Sequence, residues 1–173
     1  MNKLIIVALV AIIGIGGAYA ISPYFTSSTV NEALPNSAIP LKMEDTPIMK
    51  DEPMMENEPM MEDMMIQTYG GTFVGVGDGI HDAQGIVRTI PLNDGNNVLR
   101  LENFKATNGP DLYVYLSTDN KASEFVSLGK LKANNGNQNY DIPENTDLEK
   151  YSKVLIWCKA FGVLFGNADL SPQ

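Results

Sequence analysis

The 173-residue chain has a single cysteine and a single histidine. One thiol cannot form an internal disulfide, so no cystine framework holds the fold together. One Cys and one His cannot assemble a Cys₄ or Cys₂His₂ zinc site. Positive charge is scarce as well. Twelve Lys and Arg face 21 Asp and Glu, for a net charge of −9, which argues against nucleic acid as a partner. From Thr68 onward no stretch of eleven or more residues keeps an i, i+3, i+4 apolar spacing, so helices should be minor there. The phosphate-loop patterns GxxxxGK[ST] and GxGxxG are missing, and Gly75-Val76-Gly77-Asp78-Gly79 reads as a turn. No Ser/His/Asp or Cys/His/Asn hydrolase signature is present, which points away from an enzyme.

What is present divides into three unlike segments. Residues 4–21 carry no charge and follow Lys3. As a helix they would be about 27 Å long, against roughly 30 Å of bilayer hydrocarbon. Two readings compete. One is an uncleaved signal anchor with Tyr19, Tyr24 and Phe25 in the interfacial belt and the amino end inside. The other is a signal peptide cut after Ala20, within Ala18-Tyr19-Ala20. The first predicts a single-pass cell-membrane protein with its carboxyl domain extracytoplasmic; the second predicts a secreted one.

Residues 22–66 show neither a helical nor a strand period and carry prolines at 23, 35, 40, 47, 53 and 59. They are expected to be a disordered, partly extended linker. Within it, Asp51-Glu52-Pro53-Met54-Met55-Glu56 is followed by Asn57-Glu58-Pro59-Met60-Met61-Glu62 and by Asp63-Met64-Met65. Eight of the nine methionines, and eight acids against Lys50, lie within residues 43–65. Thioethers are soft, uncharged ligands suited to Cu(I), which makes Met54, Met55, Met60, Met61, Met64 and Met65 candidate metal ligands. The plainer reading is a low-complexity spacer.

From residue 67 to 173 the pattern becomes that of a β domain. Strand-sized runs at 72–76, 85–90, 98–104, 112–117, 125–131, 138–142, 153–158 and 161–165 are separated by Gly, Asn, Asp and Pro. Such spacing predicts a small antiparallel β-sandwich or barrel-like domain. Leu99 and Leu101 alternate with Arg100 and Glu102, as in a strand with one solvated face. Val154-Leu155-Ile156-Trp157 is apolar on both faces and should be a central strand. Asn108-Gly109-Pro110-Asp111 is a turn that launches the strand at 112–117.

Cys158 ends the apolar run 154–157. Alternation puts it on the face of Val154 and Ile156, with Trp157 opposite. Such a thiol is either a small buried hydrophobe or a group that binds a ligand or pairs between chains. Lys159 points to the other face, so it is not assumed to activate the thiol. His81, just after the glycine turn, is either a hydrogen-bonded structural residue or a metal, haem or proton-transfer group.

Several stretches, taken in order, resemble the DM13 domain over about residues 70–170. They are Gly71-Thr-Phe-Val, His81 with Gly85-Ile-Val, Val98-Leu-Arg-Leu-Glu-Asn-Phe104, Asn108-Gly-Pro-Asp-Leu-Tyr-Val-Tyr-Leu116, Leu128-Gly-Lys-Leu131, Gly136-Asn-Gln-Asn-Tyr-Asp-Ile-Pro143 and Val154-Leu-Ile-Trp-Cys158 with Phe161-Gly-Val-Leu-Phe-Gly166-Asn-Ala-Asp-Leu170. The resemblance implies an extracytoplasmic β-rich module of a kind sometimes found beside DOMON domains. Such modules have been proposed as electron-transfer components because of a characteristic cysteine. That cysteine falls on Cys158 and the family's histidine on His81.

The expectation is therefore a membrane helix (residues 1–21), a disordered linker (22–66) and a DM13-like β domain (67–173). Its function would be electron transfer or redox-cofactor binding through Cys158, with His81 as second ligand. Copper or haem is the expected cofactor, and a separate redox protein the expected partner. The competing reading is a non-redox extracellular module that binds a protein or glycan.

Overall fold

A computed structural model describes residues 3, 5, 10–12, 26–39 and 67–173. Ten strands follow one another: β1 (Tyr69–Thr72), β2 (Val74–Gly75), β3 (Ala83–Pro91), β4 (Asn97–Ala106), β5 (Leu112–Ser117), β6 (Phe125–Lys130), β7 (Asn135–Ile142), β8 (Lys153–Cys158), β9 (Val163–Asp169) and β10 (Ser171–Pro172). They form two five-stranded sheets, ordered β10-β1-β3-β4-β7 and β2-β9-β8-β5-β6. Every strand pair is antiparallel. The sandwich expectation holds for this domain. The barrel-like alternative is corrected, because the strands make two separate sheets rather than one closed one.

The core lies between the sheets. Val87, Leu99, Leu101 and Phe104 from the first meet Val114, Leu116, Val154, Ile156 and Phe165 from the second. Strand β8 sits third of five, between β9 and β5, as its two apolar faces predict. Strand alternation sends Val154, Ile156 and Cys158 into the core, while Tyr113, Tyr115 and Trp157 belong to the outer face.

Arg100 departs from the pattern. Its place in β4 predicts a solvated side chain, yet it is 5% exposed. Residues 26–39 explain the difference, for they run along the free edge of β7 and cover it. Val30 N–H donates to the Asn135 carbonyl (3.1 Å), and Glu32 N–H to that of Asn137 (2.9 Å). Thr29 pairs with Asn135 in parallel sense. The Arg100 guanidinium donates to the carbonyls of Glu32 (3.2 Å) and Ala33 (3.3 Å), to Asn139 Oδ1 (2.8 Å) and to Glu102 (2.8 Å). Farther on, Ile39 N–H donates to the Pro91 carbonyl, and Asn93 N–H to that of Ser37. Gly136, at φ +101°, makes this docking possible: a Cβ there would stand 2.0 Å from the Val30 carbonyl oxygen. This part of the expected linker is thus a strap on the sandwich, and it shields a sheet edge that would otherwise present unpaired backbone groups.

The membrane expectation is corrected. Among the described residues no helix is long and apolar enough to cross a membrane. Of the apolar run only Ile5 and residues 10–12 are described, in helical conformation, as is Lys3 before it. The signal anchor, the membrane as partner and the single-pass location are therefore not retained. The alternative cleavage after Ala20 lies outside the described residues, as does the Met-rich tract with Met54, Met55, Met60, Met61, Met64 and Met65.

Candidate functional site

One end of the sandwich holds a pocket of about 260 Å³ lined by Ile80, His81, Asn108, Gly109, Pro110, Cys158, Phe161, Val163 and Phe165. It brings together the two residues singled out from sequence, Cys158 and His81, which stand 77 positions apart in the chain.

Cys158 is the last residue of β8, in register with Leu112 on one side and Val163 on the other. It is a free thiol, 1% exposed. The chain turns sharply after it: Gly162, at φ +64°, donates its N–H to the Cys158 carbonyl (2.9 Å). That turn carries Phe161 at the pocket rim, 71% exposed. Lys159 sends its Nζ over the Tyr113 ring, 5.2 Å from the centroid, so the ammonium lies on the outer face, as alternation predicts.

His81 is set by the glycine turn. Gly77 and Gly79 take φ +76° and +79°, and the turn folds Asp78 back on the residues that follow it. Asp78 Oδ1 accepts the N–H groups of Ile80 (2.8 Å) and His81 (2.7 Å), and its Oδ2 lies 2.6 Å from His81 Nδ1. These hydrogen bonds, the His81 backbone N–H foremost, hold the Asp78 carboxyl down at about 2 from an ordinary 3.8. With Nδ1 engaged by a carboxylate, neutral His81 keeps Nε2 unprotonated, available as an acceptor or ligand. The imidazole packs edge-on to Phe165, ring centroids 4.5 Å apart. Ile80, also 71% exposed, lines the pocket as well.

The third wall is the 108–110 turn. A Cβ at Gly109 would lie 2.8 Å from both Leu112 and Phe165, so its bare backbone rests on Leu112 and on Phe165, which lines the pocket. Sequence reasoning missed Asp78 and the rim residues. The Asp-x-x-His spacing after a glycine was the available signal for Asp78; for Phe161 and Ile80 there was none, because their positions depend on how two turns meet.

A family described as electron transfer DM13 matches residues 73–170. The chain belongs to the DM13 family. Neither a curated protein nor a solved structure matches it significantly. The matched span of this DM13 chain begins at Phe73 and ends at Leu170, so it contains all the pocket residues and excludes the strap.

The donor set permits some groups and not others. Among the described residues no cluster of three or more His, Cys, Asp and Glu is placed to hold a metal, and the lining of this pocket offers a thiol and an imidazole, Cys158 and His81. A thiolate and an imidazole suit copper. Haem fits poorly: about 260 Å³ is below the roughly 300–1,000 Å³ typical of pockets that enclose drug-sized ligands.

Proposed function

We propose that this DM13 protein is a one-electron carrier that uses the Cys158 pocket, with copper held by Cys158 Sγ and His81 Nε2. The observation that carries the reading is the convergence of the chain's only thiol and only imidazole on one pocket of a domain whose family is described by electron transfer. Bound copper would supply a one-electron couple. The chain's own residues deliver and orient the two donors and restrict water: β8 fixes the sulfur, Asp78 fixes the ring, and Phe161, Phe165 and Val163 form the apolar surround. A separate redox protein would give and take the electron. The Met tract, with Met54, Met55, Met60, Met61, Met64 and Met65, would bind Cu(I) transiently and pass it on.

The test is a Cu(II) titration of the full chain followed by visible absorption. A thiolate-to-copper band saturating at one equivalent is expected. It should vanish in Cys158→Ser, and His81→Ala should weaken binding by about tenfold or more, as loss of one of two strong donors implies. The methionine tract has no thiolate and cannot mimic the band. Absence of the band in the parent would end the copper reading.

The 1% exposure of Cys158 also favours a second reading, in which the thiol fills the core and the module binds a protein or glycan without redox chemistry. That reading predicts that Cys158→Ala changes core packing and nothing else.

A further inference from the structure

The strap and the pocket share a wall. Asn108 Nδ2–H donates to the Thr26 carbonyl (3.2 Å), and the Ser28 N–H donates to Asn134 Oδ1 (2.6 Å). Asn108, Gly109 and Pro110 line the Cys158 pocket on one side and, on the other, a cleft that also contains Thr26 and Ser28. Behind the same turn, Asp111 accepts the Lys159 N–H through its carbonyl (3.0 Å), next to Cys158. Gly109 bears on Phe165, against which His81 packs. Any displacement of the 108–110 turn therefore changes the cover over the thiol and the support of the imidazole.

The strap is built as a separable element. Twenty-seven residues, 40–66, connect it to the first residue of the sandwich. Besides the Asn108–Thr26 bond, it is held at three points along its length. These are Ser28 and Val30 at Asn134–Asn135, Glu32 at Arg100, Lys132 and Asn139, and Ser37 and Ile39 at the β3–β4 turn. Those three points are hydrogen bonds and ion pairs, the kind of contact that opens locally without unfolding a core.

We infer that residues 26–39 are a latch: docked on β7, they hold the 108–110 turn over the Cys158 pocket, and their release exposes the thiol. The β7 edge is then a docking surface whose occupant is the chain's own strap. The latch regulates access to the site under Proposed function and rests on that pocket being the functional one.

The test measures alkylation of Cys158, the only thiol, by N-ethylmaleimide in the folded full chain. Hydrogen exchange at the Val30 and Glu32 amides is followed in parallel. Two variants separate the parts. Gly136→Ala places a methyl against the Val30 carbonyl and should free the strap amides. Asn108→Ala cuts the bond between turn and strap while leaving those amides protected. Both should be labelled about tenfold faster than the parent, as for a site opened by a local rather than global transition. Cooperative melting establishes that each variant is folded.

If Gly136→Ala does not fold, Asn108→Ala decides the matter alone. Parental labelling rates in the folded variants would overturn the latch, and so would a strap whose amides stay protected in folded Gly136→Ala. No metal enters the measurement. Gated labelling without copper binding would leave the latch standing and remove the carrier, whereas copper binding with ungated labelling would do the reverse.

Discussion

The aspartate beside His81 decides which ring nitrogen carries the proton. Its Oδ2 lies 2.6 Å from Nδ1, and a carboxylate there accepts a hydrogen bond and cannot donate one. In Asp78→Ala the ring loses this partner, and the neutral imidazole should become a mixture of tautomers. Nitrogen-15 NMR of the lone histidine reads this directly: an unprotonated Nε2 in the parent, an averaged signal in the variant. A parent with its proton on Nε2 would refute the assignment. The Asp78 carboxyl itself should titrate near 2. The stabilising contribution of its hydrogen bonds is thus present above the ordinary 3.8 and lost as pH falls through about 2. At this scale much was legible in advance. Alternation along 154–158 placed Cys158 inward and Lys159 outward, because a period of two is imposed by the strand itself. Asp78 was not found, since its role comes from a turn conformation and not from any periodicity.

The strap explains what the strand pattern alone could not. In β4 the alternation of Leu99, Arg100, Leu101 and Glu102 is real, but the face it leaves polar is not left to water. Proline-rich, aperiodic sequence reads as linker because such a segment has no core-facing side of its own. The strap docks through backbone groups instead, and those are invisible to hydropathy. Its charges make the docking pH-dependent. Burial by itself would raise the Glu32 carboxyl, but Lys132 and the Asn139 N–H outweigh it and leave the group below its ordinary 4.5. Glu102 is likewise raised by burial and lowered more by Arg100 and Arg88, with a net downward shift. For a depressed carboxyl the contribution is complete above the unfolded value and disappears as pH falls through the folded one. Urea unfolding should therefore show a stability loss on acidification below the ordinary carboxylate range of about 4 to 4.5, and Glu32→Gln should reduce that loss. At neutral pH the same substitution should cost no more than about 1 kcal/mol, because the Glu32–Lys132 pair is partly open to solvent. An acid limb unchanged in Glu32→Gln would mean that its carboxylate does not help to hold the strap.

Two sheets with one core are what the regular alternation of short strands and turns dictates, and that level of the molecule was readable from hydrophobic spacing. Long apolar runs are less informative. The run at residues 4–21 has about the length of a bilayer span, yet among the described residues no helix is long and apolar enough to cross a membrane. The contacts of the fold extend beyond the family match, which starts at Phe73, and reach back to Thr26. Deletion separates these two boundaries. Removing residues 1–25 leaves every strap contact described above in place and serves as the reference. Removing residues 1–66 takes away the Glu32 and Ala33 carbonyls that Arg100 engages, the Glu32 partner of Lys132, and the cover on β7. The strap's own ordering entropy offsets much of that loss, so the net penalty should be about 1–3 kcal/mol. For a domain of this size each kcal/mol corresponds to roughly 4–8 °C in Tm, a drop readily seen by calorimetry. Equal melting of the two truncations would show that the sandwich is complete without its strap, and that the buried position of Arg100 is incidental to stability.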